Sequence, residues 1–489
     1  LSRLAATLSS ARGAARVLSI AALLAGAGAL AFTARLAREP ASAALSADVA
    51  PAQQAGSAWS SPAVLNPCPA GPAAQVVFPS DSPSHATGAG AIVWSDSSHC
   101  PGGEGARVAA LGAGDEPLAP STPRTAAGQP IAPRGALLAA AAPHGQVVIA
   151  GTAPSQPAGG LLIQGAAGGP FAALQPLADA TAPTALATGY LGDLALAAVP
   201  ADPQAGRAHT SLSVRLERFY AHAFNRDVVA RDPGSAPVQA LTLAMDYRSE
   251  VLAAWTQGGA IYTRLIPNRG PARPPQRLAS VGSHAQIAAV LSDDERAIVA
   301  WSEQRGSQTS VYVDRSATGV RFRTPQLLGR FTDPDGLSAP AASPSLVRLS
   351  SETVMLAWAG SESGHWVVRA ASVDLNGVGA VSTIAAPGVD ALLAHLAPGP
   401  ADDALLLWTE PLPTAAGPPD LARQAIFAAR GYDAYQARAV FGQPEQVATP
   451  APVSDPTVAF DPASDRAVAV WRGEAAAVEY AIRAAGDAP

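Results

Sequence analysis

The acidic and amide side chains that could do chemistry in this chain recur in one place. Asp96, Gln257, Glu303, Glu362, Glu410 and Glu474 each fall within four residues after an apolar phrase ending in tryptophan: Ile92-Val93-Trp94, Ala253-Ala254-Trp255, Val299-Ala300-Trp301, Leu356-Ala357-Trp358, Leu406-Leu407-Trp408 and Ala469-Val470-Trp471. A ring of such groups could ligate a cation, or receive the hydroxyls of a glycan stacked on neighbouring indoles. Serine or threonine followed by an acid is also a good solvated turn, and the tryptophans could equally pack between repeats. A second cluster, Arg207, Arg215, Arg218, Tyr220 and His222, lies in the densest polar and aromatic run of a charge-poor chain. It could grip an anion through arginine forks or form a charged outer strand.

Other chemistry lacks its residues. The eight histidines are scattered, with no His-Glu-x-x-His or His-x-His spacing, and there is no Gly-x-Ser-x-Gly elbow. Asp333-Pro334-Asp335-Gly336 and Asp374-Leu375-Asn376-Gly377 look like fragments of calcium loops, but neither has the further acid such a loop needs, and both read as turns. No metal site and no cofactor is expected. The net charge is -6 and lysine is absent, which argues against nucleic acid as a partner. With 48% hydrophobic and 14% charged residues, the chain can bury a large core.

The elements that would position the acidic groups are repeats. Two degenerate copies of the phrase, Val147-Val148-Ile149-Ala150-Gly151 and Ala195-Leu196-Ala197-Ala198-Val199, bring the anchors to eight, spaced 46 to 63 residues apart. Around each anchor stand four short β-branched or aromatic runs separated by turn formers, as in Gln286–Val290, Ala297–Trp301, Ser310–Asp314 and Phe322–Leu328. We name such strands A to D. The expected fold is an all-β propeller of about eight four-stranded antiparallel blades, with seven if one degenerate copy is an insertion. The six acidic and amide positions then fall in the B to C loops, which share one face. The last repeat reaches Pro489 without a strand D, and Trp59–Leu65 matches that strand, so the ring is expected to close by pairing the two ends. Cys68 and Cys100, the sole cysteines, are expected to form a disulfide beside the closing strand.

Arg3, Arg12 and Arg16 precede an uncharged stretch, Val17–Ala34, long enough for one N-terminal hydrophobic helix. Residues 1–43 read as an export signal or a membrane anchor, with cleavage after Ala41-Ser42-Ala43 and retention both open. Residues 44–57 read as a linker and 58–489 as the propeller. The expected location is extracytoplasmic: secreted, periplasmic or tethered to the cytoplasmic membrane through the N-terminal segment alone. A monomer is expected.

The phrase Ala297-Ile298-Val299-Ala300-Trp301-Ser302-Glu303 on strand B, followed by aromatic and arginine residues on strand C, resembles uncharacterised exported β-propeller repeat proteins of GC-rich bacteria. More distantly it is similar to sialidase-like propellers. Arg315-Ser316-Ala317-Thr318-Gly319-Val320-Arg321-Phe322 keeps the glycine and aromatic of a sialidase Asp box but not its serine and aspartate. The resemblance implies architecture, and architecture does not fix chemistry. The function expected is a non-catalytic extracytoplasmic binding or scaffold propeller for a protein or a glycan. The alternative is a glycan-directed hydrolase or lyase of sialidase-like architecture.

Overall fold

The computed structural model describes residues 58–486 except 72–73, 79–89, 101–102, 113, 144, 154–155, 175–179, 190–191, 201–210, 218–223, 232–235, 237, 283–284, 333–342, 350–352, 386–387, 401, 415–419 and 434–438. The chain divides into two units, Leu1–Ala55 and Gly56–Pro489, and every sheet below belongs to the second. The N-terminal apolar stretch therefore lies outside the described residues. Among the residues described, no helix is long and apolar enough to cross a membrane.

The fold is all-β, and its succession of antiparallel, mostly four-stranded sheets is consistent with a propeller. The described residues form eight sheets, numbered here along the chain by their strand B: Ala91–Asp96, Gln146–Ala153, Leu194–Pro200, Val251–Gln257, Ala297–Arg305, Val354–Glu362, Asp403–Leu412 and Arg466–Arg472. Each repeat anchor falls on one of them. These strands are buried almost throughout, because both faces of the sheet are covered, which is why they read as continuous apolar runs rather than alternating ones. In sheet 1, Ile92 and Trp94 pack on Val468 and Val470 of sheet 8. Ala91 and Val93 point the other way, onto Val147 and Ile149 of sheet 2. The other core clusters join neighbouring sheets in this manner, and successive clusters pass from each sheet to the next.

Turn chemistry sets the strand B to strand C hairpins. Gln257 pairs with Ala260 and Glu362 with His365, leaving two-residue turns, Gly258-Gly259 and Ser363-Gly364. All four turn residues have positive φ, from 53° to 85°, the backbone that a tight hairpin of this twist demands. Neighbouring A strands are tied by side chains. Gln75 donates to Leu137 O and accepts from Ala139 N, both at 2.8 Å, and Leu396 N donates to Ser345 Oγ at 2.9 Å.

Sheet 8 takes its outer strand from the other end of the unit. Ala63–Asn66 pairs antiparallel with Val478–Arg483, opposing Ala63 to Tyr480 and Asn66 to Val478. Regular pairing begins later than Trp59, because Pro62 has no N–H to give a ladder. Trp59 still bridges Arg483 and is buried in the core between sheets 7 and 8. Beyond Asn66 the chain crosses to sheet 1, where Cys68 and Cys100 form a disulfide with their Cα atoms 5.8 Å apart. Gly71 N donates to Ser95 O and Ser97 N to Pro69 O.

Two sheets depart from four strands. Sheet 7 has five, since Ala439–Phe441 and Glu445–Ala451 both pair with the long Asp420–Asp433. Sheet 1 shows three among the described residues, its C to D connection running through isolated bridges instead.

Candidate functional site

The six acidic and amide candidates have mostly moved off the loops where the sequence put them. Asp96, Gln257, Glu303, Glu362 and Glu410 all lie on strand B, because the ladder with strand C continues past the tryptophan: Asp96 opposes Gly105, Glu303 opposes Ser310 and Glu410 opposes Ala425. Only Glu474 sits in a connection, the 3-10 turn Glu474–Ala476, where it is exposed.

On a strand, residues two apart share a face. The acid two places after a tryptophan can therefore turn back and accept the indole N–H. Trp94 Nε1 donates to Asp96 Oδ1 at 2.9 Å, and Asp96 also receives Asn66 Nδ2 at 2.8 Å and Arg107 Nε at 2.6 Å. Trp408 Nε1 donates to Glu410 Oε1 at 2.9 Å. Burial raises the Glu410 carboxyl above its ordinary range, against the pull of that hydrogen bond. In sheet 8 the acceptor for Trp471 Nε1 is Glu479, directly opposite on strand C, at 2.9 Å, and not Glu474.

The other candidates are committed as well. Glu303 accepts from Gly282 N and pairs with Arg305, both at 3.1 Å. Glu362 pairs with Arg369 at 3.1 Å, and Gln257 Nε2 donates to Ala236 O at 3.0 Å. The indoles are buried and stacked inward, Trp255 on Tyr262, Trp301 on Tyr312 and Trp408 on Phe427, with centroids 5.5 to 6.0 Å apart. They offer no open stacking surface. Of the second cluster, Arg207, Arg218, Tyr220 and His222 lie outside the described residues. Arg215 falls on the third strand of sheet 3, opposite Leu196 and Arg226.

At the other ends of the strands, a belt of polar contacts links successive sheets through their A to B turns, their C strands and the C to D connections. Ser249 donates to Asp193. Arg348 Nη1 pairs with Asp293 Oδ1 at 2.5 Å, Ser372 Oγ donates to Asp433 Oδ1 at 2.7 Å, and Ser464 Oγ donates to Asp115 Oδ2 at 3.2 Å. Arg430 reaches Asp403 in its own sheet and forks onto Asp465 of the next at 2.9 Å twice. Burial pushes Asp115, Asp246 and Asp314 up to about 6, with Asp461 adding like-charge repulsion at Asp115.

A cleft of about 680 Å³ opens within this belt, between sheets 5, 6 and 7. Its polar lining is Arg296, Thr353, Ser372, Asp374, Asn376 and Asp433. The Asp374 carboxylate accepts from Asn376 N at 2.7 Å and Gly377 N at 2.8 Å, so the Asp-Leu-Asn-Gly fragment is a turn in the folded chain. Among the described residues, no group of three or more His, Cys, Asp or Glu side chains is placed to hold a metal ion. Sequence reading had marked only the Asp374 turn of this cleft. Arg296, Thr353, Ser372 and Asp433 carry no motif, and their convergence comes from packing three sheets together.

No protein-family model matches the sequence, and no curated protein matches it. Among solved structures, a prolyl endopeptidase matches over 67% of this chain at 15% identity and a TM-score of 0.42. The chain spans only 43% of that protein. An ulvan lyase of a polysaccharide lyase family matches over 79% of this chain and 96% of its own, at 9% identity and a TM-score of 0.41. The sialidase of Trypanosoma rangeli matches over 61% and 53% respectively, at 10% identity and a TM-score of 0.32.

Proposed function

We propose that residues 58–489 form a closed ring of eight blades that works as a non-catalytic binding module, taking a hydroxyl-rich ligand such as a glycan in the cleft between sheets 5, 6 and 7. Closure is supported by the strand Ala63–Asn66 on the outer edge of the last sheet, and by the core cluster that joins sheet 8 to sheet 1. Residues 1–43 would be the export signal or membrane anchor and 44–57 the linker. The disulfide fits an oxidising, extracytoplasmic compartment. The module would act as a monomer.

One observation carries the binding reading. Of the acidic side chains that could have formed a reactive rim, Asp96, Glu303, Glu362 and Glu410 are engaged with indoles or arginines and Glu474 stands exposed, while the cleft presents hydroxyl, amide and guanidinium groups. Its two lining carboxylates already accept hydrogen bonds, from Ser372 and from the Asp374 turn. Such a lining suits a hydroxyl-rich ligand better than a protein surface, whose affinity rests on apolar and aromatic anchors.

The test is a glycan array beside a protein pull-down with the full chain, comparing wild type with Asp433→Asn, Thr353→Val and Glu474→Ala. Capture lost in the first two and kept in the third is the expected result. Hydrolysis or elimination of any captured glycan would favour the enzyme alternative, which needs two carboxyl groups about 5 to 9.5 Å apart if it is a glycosidase. Capture only of proteins, indifferent to Asp433 and Thr353, would overturn the cleft as the binding place.

A further inference from the structure

We propose that the ligand of this cleft carries an oxyanion, held by the buried guanidinium of Arg315 beneath the Asp374–Gly379 turn; the inference rests on the binding reading given above. Arg315 and Arg430 occupy the same place in their repeats. Arg315 opposes Ile298, three residues before Trp301, and Arg430 opposes Leu405, three before Trp408. Both are buried, 8% and 5% exposed. Their surroundings differ.

Arg430 meets two carboxylates, Asp403 and Asp465. Among the described residues the Arg315 side chain makes one hydrogen bond, Nη2 to Gln326 Oε1 at 3.2 Å, and its Nε and Nη1 have no partner there. The residue at the place of Asp403, five before the tryptophan, is in sheet 5 another cation, Arg296. The residue at the place of Asp465, six before the next sheet's tryptophan, is Glu352, which lies outside the described residues. A buried guanidinium with unmet donors is costly, and in folded proteins such groups are paired or bind something.

Arg315 is close enough to the cleft to be that group. It shares a face with Val313, which packs into the core between sheets 5 and 6. A Cβ on Gly377 would stand 3.7 Å from Arg315 Nη1, and Gly377 lines the cleft. Burial works against its charge and Arg323 repels it, outweighing the attraction of Asp314 and Asp374, so it sits below the ordinary guanidinium range. Asp374 is already engaged by its own turn. An oxyanion entering under the turn would take the fork that the two aspartates take at Arg430, an arrangement that guanidinium geometry favours.

The experiment is a thermal-shift and calorimetric titration of the full chain with sulfate, inorganic phosphate and glutarate, each against chloride at matched ionic strength. The arms separate tetrahedral from carboxylate oxyanions. Saturable binding by at least one is expected, weakened at least tenfold in Arg315→Gln. Gly377→Ala is the folding-safe variant: its backbone is not left-handed, Arg315 is its one close neighbour among the described residues, and the added methyl fills the approach to the guanidinium. It should weaken binding at least fivefold with an unchanged melting midpoint. Glu352→Gln should leave binding intact. Shifts no larger than those of chloride, or equal shifts in wild type, Arg315→Gln and Gly377→Ala, would overturn the proposal. So would binding that appears only in Glu352→Gln, because Glu352 would then be the partner of Arg315. A neutral glycan captured through Asp433 but indifferent to Arg315 would leave the binding reading standing and remove this one.

Discussion

Replacing Cys68 and Cys100 by serine should loosen one short stretch of the chain rather than the whole. The disulfide closes a loop over a sequence separation of 32 residues, for which the chain-entropy relation gives about 4 kcal/mol at 25 °C. It sits where the segment from Trp59 to Gly71 leaves the edge of sheet 8 and reaches sheet 1. Beside its short ladder with Val478–Arg483 and the buried Trp59, that segment is held by Ser60 N to Ile482 O, Ile482 N to Ser60 Oγ, Asn66 Nδ2 to Asp96 Oδ1, Ser97 N to Pro69 O, Ala70 N to Ala476 O and Gly71 N to Ser95 O. The strand it contributes is four residues long, and Val64 within it is 57% exposed. Most of the bridge's contribution should therefore appear as the free energy of lifting this segment away. Native-state hydrogen exchange is the suitable assay, because a chain of many sheets need not unfold in two states. The amides of Ser60, Ala70 and Gly71 should exchange roughly a thousandfold faster in the double variant, the equivalent of about 4 kcal/mol. Amides on strand B of sheets 3 to 5 should not change. Acceleration below tenfold at the three amides, or an equal acceleration in every sheet, would refute the reasoning.

Stability should depend on pH in an unusual direction. Asp115, Asp246 and Asp314, raised from 3.8 to about 6, keep protons in the folded chain that the unfolded chain releases. Their contribution is full below about pH 3.8 and is lost as pH rises through about 6. His395, lowered by burial from 6.5 to about 4, opposes them, since the unfolded chain takes up its proton first as pH falls. Glu250, Asp402 and Glu410 are raised by burial as well, so the carboxyls outweigh the one histidine: the denaturant midpoint should be higher at pH 5 than at pH 7.5, and Asp246→Asn should flatten the difference; a fall in the midpoint on acidification would contradict this. Asp96→Ala removes the carboxylate that accepts from the Trp94 indole, Asn66 and Arg107 and should cost about 3 kcal/mol, while the exposed Glu474→Ala should stay within about 0.5 kcal/mol, as read by urea unfolding. Arg430→Ala strips Asp403 of its buried partner, and a loss on the order of 3 to 5 kcal/mol is expected in the same assay. A loss under 1 kcal/mol would mean that the Arg430 fork contributes little.

The repeat was legible in the sequence because strand B is covered on both faces. The run that carries Trp94 or Trp301 must be apolar in every copy, and the period of such runs survives even where Val147–Gly151 and Ala195–Val199 have lost the indole. The strand supplied near Trp59 was legible for a local reason, since proline and apolar residues act within a few positions of where they stand, whereas the tightness of the B to C turns was not, and the residues before Gly258 and Ser363 read as loop. The candidate site was not legible. The partner of a carboxylate depends on which way its strand faces and how far the ladder runs, so Asp96 and Glu410, read as loop residues open to a ligand, turn back to hold their own tryptophans. Arg296, Thr353, Ser372 and Asp433 stand on three sheets, and only the packing of those sheets brings them to one cleft. The packing of sheet 8 on sheet 7 likewise brings Asp465 to Arg430, which Asp403 of its own sheet already meets. Sequence spacing determines what each sheet is, because a strand's burial repeats with its own residues. Contacts between sheets are determined only when the chain is folded, because their residues lie tens to hundreds of positions apart.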